Sequence, residues 1–576
     1  MAARSKMILA AGLVCLVAGL IIECGLVRVQ GMPALHVVFP LGAILLGVYL
    51  VARTFGLACL LWLPLASLGA AVPAREIPPA FGPYINLSPR DFAEATSFKE
   101  TDRIVGTYYF YWYNIHTGEH ITNPQNGSDG LTDHPPTLED FSYLSVRWHK
   151  RQFSDMEDAG IDVALPVFWG APSERDPKAS LHWSYAGLGP MVQAREELVR
   201  EGKKPPRLGL FYDTSTLQYN AWHVHVDLKT DFGKRWFYAT VRDFFSAIPP
   251  KHWALMDGKA VVLLYSAAFA KDHDQGFVEF TRNQFRQEFG GHELYFVPQD
   301  SWRVKGDNVC AWGGALGLKN PGVGALGPGY DDTAVYGRKP LVRKREGGKF
   351  YEDNWMRFLR RPSNFVMVET WNEFHEGTTV CESREYGRQY IELTRKYSDL
   401  FKQGWVPAWP KGRFSDARRV TATPLGDATT GGLTLVPHED GQVRQAEAGG
   451  SVCWQIQPCP GHGTYVYFRV DDSFKNAAGM DLDLVVEYFD AAAGRLNVEY
   501  DGPDKSAPFN GAYSRSQAVP LSGDKQWKTA TFKLAGARLM NGQNSGADLR
   551  LVVEAGDLGV RKVTLCRTDS ISESGR

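Results

Sequence analysis

Glu373 and Glu376 stand three residues apart in VETWNEFHEGT, residues 368–378, beside Trp371, Asn372 and His375. Carboxyls this close repel each other, which drives their proton affinities apart and lets one keep its proton while the other stays ionised. Cleavage of a glycosidic bond asks for that division: an acid for the leaving oxygen, and a base or nucleophile. Trp371, Asn372 and His375 could orient the pair or contact a sugar. Two glutamates at this spacing also occur on solvated helix faces, so the elements that position them decide the reading. Here they follow directly on NFVMVETW, residues 364–371, an apolar run of strand-like composition. That places the pair at the mouth of a buried strand.

Other candidates end other apolar runs. Tyr109, Tyr111 and Trp112 close the first, where rings serve for stacking on a sugar as well as for packing. Asp213 closes the third, in FYD, and Tyr330 follows the seventh, with Asp331 and Asp332 read as loop or helix-start residues. His223 and His225, in AWHVHVD, have no third ligand in view and are not read as a metal site.

The runs themselves alternate with helical patterns between about 103 and 402. Strands are predicted at 104–113, 161–169, 207–213, 260–265, 293–298, 308–314, 323–330 and 364–371, nearly continuous in apolar character as strands covered on both faces are. Amphipathic stretches such as LSVRWHKRQFSDMEDAG and QGFVEFTRNQFRQEFG lie between most of them, several closed by a glycine where a helix stops. Eight strands with mostly alternating helices predict an α/β fold, a (β/α)8 TIM-type barrel over 103–412, whose chemistry would sit at the C-terminal strand ends. The seventh run is glycine-rich and the weakest. After PAWPKGRFSD, 407–416, helical patterns give way to short alternating runs, predicting a C-terminal antiparallel β-sandwich over 413–576 that holds carbohydrate or serves as a spacer.

WNEFHEGT resembles the NEWHEGT signature of the endo-α-mannosidase family, glycoside hydrolase family 99, and of related barrels of bacterial polysaccharide loci. GPGYDDT, residues 327–333, is similar to the GPGYxDT loop that precedes that signature, and GTYYFYWYN and MEDAGIDVALPVFWG resemble the family's first strand and its second helix and strand. The resemblance spans roughly residues 100–400. It implies a retaining, metal-independent endo-glycosidase with no cofactor, acting on α-mannosides. Glu373 would be the base that takes the proton of a substrate 2-hydroxyl, giving an epoxide-like intermediate. Glu376 would be the acid and base at the glycosidic oxygen, which asks for partial burial next to Glu373 so that it holds its proton. The sequence departs from the family at Phe374, where the family has Trp, and at Trp371, where it has Phe; both changes bear on sugar subsites.

The remaining sequence concerns location. Residues 7–27, 33–52 and 54–72 are apolar and long enough to span a bilayer, the first with one charge, Glu23, and Arg4 and Lys6 favour a cytoplasmic start. Read alternatively, Arg53 to Ala74 is a signal peptide. Both readings give a membrane-spanning or signal region over 1–75, a Pro-rich linker over 76–102, and an extracytoplasmic body, anchored or exported. The 63 Lys and Arg nearly cancel the 64 Asp and Glu, so no basic stripe points to nucleic acid. The expected partners are a polysaccharide or oligosaccharide and the membrane. Cys453 and Cys459, in CWQIQPC, would close a local disulfide in an exported domain, with free buried thiols as the alternative. Competing with hydrolysis is a glycan-binding or polysaccharide-assembly protein of the cell envelope that does not cut, or a structural envelope protein with a decayed site.

Overall fold

The computed structural model describes residues 76–426, 428–457, 463–554 and 557–568. The expected membrane-spanning segments lie outside these residues. No helix among the described residues is long and apolar enough to cross a membrane.

Seven of the eight predicted strands form: β1 (Ile104–Tyr109), β2 (Val163–Phe168), β3 (Leu210–Tyr212), β4 (Lys259–Leu264), β5 (Leu294–Val297), β6 (Gly324–Leu326) and β7 (Phe365–Val368). They pair parallel in the spatial order β5-β4-β3-β2-β1-β7-β6, with β7 in register so that Val366 faces Val105 and Met367 faces Gly106. A Cβ at Gly106 would meet Met367 Sδ at 2.6 Å, so glycine lets these two strands close up.

The sixth run, 308–314, does not make a strand. Cys310 forms an isolated parallel bridge to Gln299, the Cys310 amide donates to Pro298 O at 3.1 Å, and the Val323 amide donates to Val309 O at 2.8 Å on the other side. The chain then turns through Gly313, whose φ of 102° leaves the extended region, into a short 3₁₀ turn at Gly314–Leu316. Two glycines at the end of the run stop it after one pair on each side.

Among the described residues, the longer helices pack outside the sheet: α1 (Val146–Asp158), α2 (Leu188–Arg200), α3 (Asp231–Ala247), α4 (Gly276–Glu288), α5 (Lys349–Arg360) and α6 (Gln389–Lys402). Ser145 caps α1 by accepting from the Trp148 amide, and Thr230 caps α3 by accepting from Gly233. Gly160, Gly202, Gly290 and Gly404 follow helix ends with φ between 63° and 78°, the left-handed stop read from sequence. α1 turns Trp148, Phe153 and Met156 inward, whereas α3 is buried all round from Trp236 to Ser246.

Residues 76–102, expected as a linker, run along the outside of α3 and α4. The Tyr84 amide donates to Ser246 O at 2.9 Å and the Asn86 amide to Glu288 O at 2.7 Å, while Ser97–Phe98 pairs parallel with Leu255–Met256. Gly82 lies so close to α3 that a Cβ would sit 2.1 Å from Ser246 O.

Beyond residue 418 two antiparallel six-stranded sheets face each other. Met480–Asp490 shows the expected period of two, with Leu482, Leu484 and Val486 buried against Leu496, Val498 and Leu551 of the opposite sheet. Arg357 of α5 reaches Asp472 of this region at 3.1 Å and Arg361 donates to Ala478 O at 3.2 Å, so the two parts are in contact. Cys453 is a free buried thiol; Cys459 lies outside the described residues.

Candidate active site at the mouth of the parallel sheet

Strand β7 ends at Val368, and the chain folds at once into a compact loop that carries the glutamates. Thr370 starts it: its hydroxyl accepts from the Glu373 amide at 2.9 Å and meets the Thr378 hydroxyl at 2.9 Å. Asn372 clamps the loop to the end of β1, its Oδ1 accepting from the Phe110 amide at 2.8 Å and its Nδ2 donating to Phe110 O at 2.7 Å. The Tyr113 hydroxyl donates to Asn372 O and accepts from the Phe374 amide, both at 3.0 Å. Gly377 turns the chain back at φ 53°, with Thr132 and Asp331 O 3.1 and 3.2 Å from where a Cβ would lie. Arg345, buried, donates to Gly377 O, Thr379 O and Asp133, fastening the far side.

The loop opens on a cavity of about 310 Å³. Its wall is drawn from the C-terminal ends of successive strands: Trp112 after β1, Trp169 after β2, Asp213 after β3, Tyr265 after β4, and Glu373, His375 and Glu376 after β7. Trp312 comes from the sixth run and stacks on Phe211 at 5.6 Å and 17°. Arg338 comes from an excursion after β6, framed by the antiparallel pair Tyr330–Asp331 and Val342–Arg343.

Glu373 is 3 % exposed. Its Oε1 accepts from the His375 amide at 3.0 Å and ring Nδ1 at 2.7 Å, whereas Oε2 is buried with no protein partner. Burial pushes this carboxyl up, His375 pulls it down, and the charge of Glu376 pushes it up further. His375 is itself held by stacking on Tyr113 at 5.6 Å. Glu376 has another environment: its Oε1 accepts from Arg338 at 2.8 Å. Glu373 is almost fully buried, whereas Glu376 is partly buried and faces a cation. Arg338 is raised by that carboxylate against the lowering effect of its own burial.

Asp213 is 6 % exposed and accepts from the Ser215 amide at 3.0 Å; burial lifts its carboxyl to about 6 against the pull of Ser215 and the Trp169 indole. Tyr330 stands beside the cavity, donating to Asp332 at 3.2 Å, its hydroxyl pushed up by burial and by the charges of Glu376 and Asp332.

Of the residues singled out from sequence, the structure brings Glu373, Glu376, His375, Trp112 and Asp213 to one cavity, with Tyr330 adjoining. It does not bring Tyr109, Tyr111, Trp371 or Asn372 to the wall. Side chains alternate along β1 and its extension, so Phe110 and Trp112 face the cavity while Tyr109 and Tyr111 face the helices. There Tyr109 bonds His149 at 2.8 Å and Tyr111 donates to Ser184 O at 2.8 Å. Trp371 donates to Gln152 of α1 at 2.7 Å. These four hold the frame rather than a ligand. Sequence reasoning missed Trp169, Phe211, Tyr265, Trp312 and Arg338. Trp169 and Tyr265 end predicted strands and were open to the same positional argument as Asp213. It also missed Glu369, fully buried at the end of β7, which accepts from the Gly313 amide at 3.0 Å and the Ala315 amide at 3.4 Å. Burial lifts this carboxyl to about 8 against those amides.

A family model described as a domain of unknown function (DUF5010) matches residues 91–408. The glycoprotein endo-alpha-1,2-mannosidase of Mus musculus is 30 % identical over 97 residues, which are 14 % of this chain and 20 % of that protein. The chain thus spans about a fifth of the length of the curated relatives it matches. Among solved structures, the GH99 endo-alpha-mannosidase from Bacteroides thetaiotaomicron superposes with a TM-score of 0.38 at 15 % identity, covering 53 % of this chain and 98 % of that one. A structure called a glycoside hydrolase-like protein superposes at 0.40 and 16 %, covering 54 % and 99 %.

Proposed function

We propose, from the premise that this chain belongs to the DUF5010 family and resembles the family 99 endo-α-mannosidases, that it is a retaining glycoside hydrolase cutting internal α-linkages in a polysaccharide or glycan. The observation that carries the reading is the meeting of Glu373 and Glu376 in one aromatic-walled cavity at the C-terminal mouth of a parallel sheet. We take that sheet as the wall of a (β/α)8 barrel, with residues 308–310 as its sixth stave, and the two antiparallel sheets as a glycan-holding or spacer sandwich. The domain limits 103–412 and 413–576, the linker over 76–102, and an extracytoplasmic location, anchored or exported, belong to the same proposal.

Glu373 is the base. An ordinary carboxylate is a weak acceptor for an alcohol proton, and burial makes this one stronger. His375 occupies Oε1, which leaves the unpartnered Oε2 for the substrate's 2-hydroxyl. As that proton moves to Glu373, the 2-oxygen attacks the anomeric carbon and Glu376 protonates the departing glycosidic oxygen. Water, giving its proton to Glu376, then opens the epoxide-like ring at the anomeric carbon, and the 2-oxygen recovers its proton from Glu373. Two inversions give net retention. Asp213, Trp112 and Tyr330 contact the sugars, and an α-mannoside is the first substrate to try.

The Arg338–Glu376 pair favours a second reading, in which the site binds glycan without cutting it, because one oxygen of Glu376 is already engaged by a guanidinium at 2.8 Å. The full chain and its Glu373→Gln and Glu376→Gln variants should be compared on a panel of α-mannans and other α-glycans. We expect cleavage by the parent and a fall of about 10²–10⁴-fold in each variant, with glycan binding retained. Equal binding by all three proteins and no cleavage by any would leave the binding reading.

A further inference from the structure

One buried carboxyl at the mouth of the sheet takes no part in the proposed reaction. Glu369 follows the last residue of β7 and is 1 % exposed. Its Oε2 accepts from the Gly313 amide at 3.0 Å and the Ala315 amide at 3.4 Å, and its Oε1 is buried with no protein partner. Among the described residues nothing else accepts from those two amides. They follow directly on Trp312, a wall of the cavity. The Trp312 backbone makes no hydrogen bond of its own among the described residues, so its place is set by Cys310 on one side and by this turn on the other. The turn is wedged: a Cβ at Gly314 would meet the Ala325 carbonyl carbon of β6 at 2.5 Å, and one at Gly327 would meet Glu369 O at 2.0 Å. From there the indole packs on Phe211, Tyr108 and Tyr265, with ring centres 5.6, 5.0 and 5.4 Å away. A shift of the turn would move the wall against which a sugar rests.

We propose that Glu369 is a positioning residue: from the end of β7 it grips the turn at 313–315 and so sets Trp312 in the cavity wall. A side chain makes this grip because the glycines of the sixth run leave no strand to make it. Burial lifts the Glu369 carboxyl to about 8, against the pull of the Gly313, Ala315 and Gly314 amides and of Lys319. At pH 7 it is an uncharged acceptor, and it becomes a charged and stronger one as pH rises past 8. The titratable groups facing it are Lys319 after the turn, Cys310 before it, Tyr108 on β1 and Tyr265 after β4, with Asp300 beside Cys310 and Lys319. None of these side chains hydrogen bonds to Glu369; its donors are the two amides. The consequence for glycan binding rests on the reading of this cavity as a glycoside hydrolase site, whereas the grip on the turn does not.

The full chain, Glu369→Gln and Glu369→Leu would be compared by deuterium exchange of the 309–316 amides at pH 7 and pH 9, and by KM and kcat on the α-glycan panel. Leucine keeps the bulk but leaves both amides without an acceptor. Exchange there should quicken about tenfold and KM should rise, with kcat close to the parent's. Glutamine keeps a neutral acceptor and should match the parent at pH 7. At pH 9 the parent should protect the turn better than Glu369→Gln, because only the parent ionises; a residue that merely filled space would show no such split. Exchange in Glu369→Leu that stays at the parent's rate would overturn the proposal. So would a parent and a Glu369→Gln that remain alike at pH 9, a comparison that stands even where the leucine variant does not fold. A parent that turns over no glycan on the panel would remove the hydrolase reading, while the exchange results would still decide the grip.

Discussion

Asp213 is a buried carboxyl whose protein donors are Ser215 and the Trp169 indole rather than a cation, and it is costly for that reason. Its folded-state proton affinity is raised from 3.8 to about 6, so the folded chain holds this proton more tightly than the unfolded chain. Stability is then greatest with Asp213 protonated and falls as pH rises from about 4 to about 6. The loss is about 3 kcal/mol at 1.36 kcal/mol per unit. Asp213→Asn keeps an oxygen for the Ser215 amide and removes the charge. It should be the more stable protein at pH 7 by up to about 3 kcal/mol and match the parent near pH 4. Urea midpoints at the two pH values check this; equal midpoints at pH 7 would show that bound water already pays the desolvation. Asp213 was legible in sequence because it closes an apolar run. Arg338 was not: its partner Glu376 lies 38 residues away, and nothing in GRKP marks the pairing.

The loop after β7 owes its shape to a buried ion pair. Arg345 and Asp133 meet at 2.6 Å, both almost fully buried, and Arg345 also holds two loop carbonyls. Removing one partner strands the other charge, which costs about 3–5 kcal/mol. Arg345→Ala should lower the unfolding free energy by that amount and release the glutamate pair, so the proposed glycan cleavage should fall with it. A loss under about 1 kcal/mol would mean that Asn372 and Thr370 suffice to shape the loop. The strands that position this loop could be read because parallel strands buried on both faces leave continuous apolar runs. The same property hid which side of β1 faces the cavity: where both faces are apolar, alternation is silent, and Tyr109 and Tyr111 read like Trp112.

Across the molecule, the change from helical to alternating patterns near residue 412 marked the passage from one architecture to the other, since each burial period survives in sequence. The contact between them left no such mark; Arg357 and Asp472 are ordinary surface residues until the fold brings them together. The sixth run was legible in composition yet failed as a strand, for its glycines end the pairing after Cys310. That weakness has a kinetic side. Trp312, one wall of the cavity, follows a segment whose backbone pairing to its neighbours ends at Cys310, while β1 and β7 pair along the whole of β7. Local opening should start there, so the amides of 309–315 should exchange with deuterium sooner than those of 104–109, by a margin that mass spectrometry resolves. An oligosaccharide seated against Trp312 would slow that exchange, and equal protection of the two segments in the empty protein would show the seam to be as tight as the rest. The soft side of the wall would then be how long chains enter: sideways, through breathing of the sheet, with no need to thread an end.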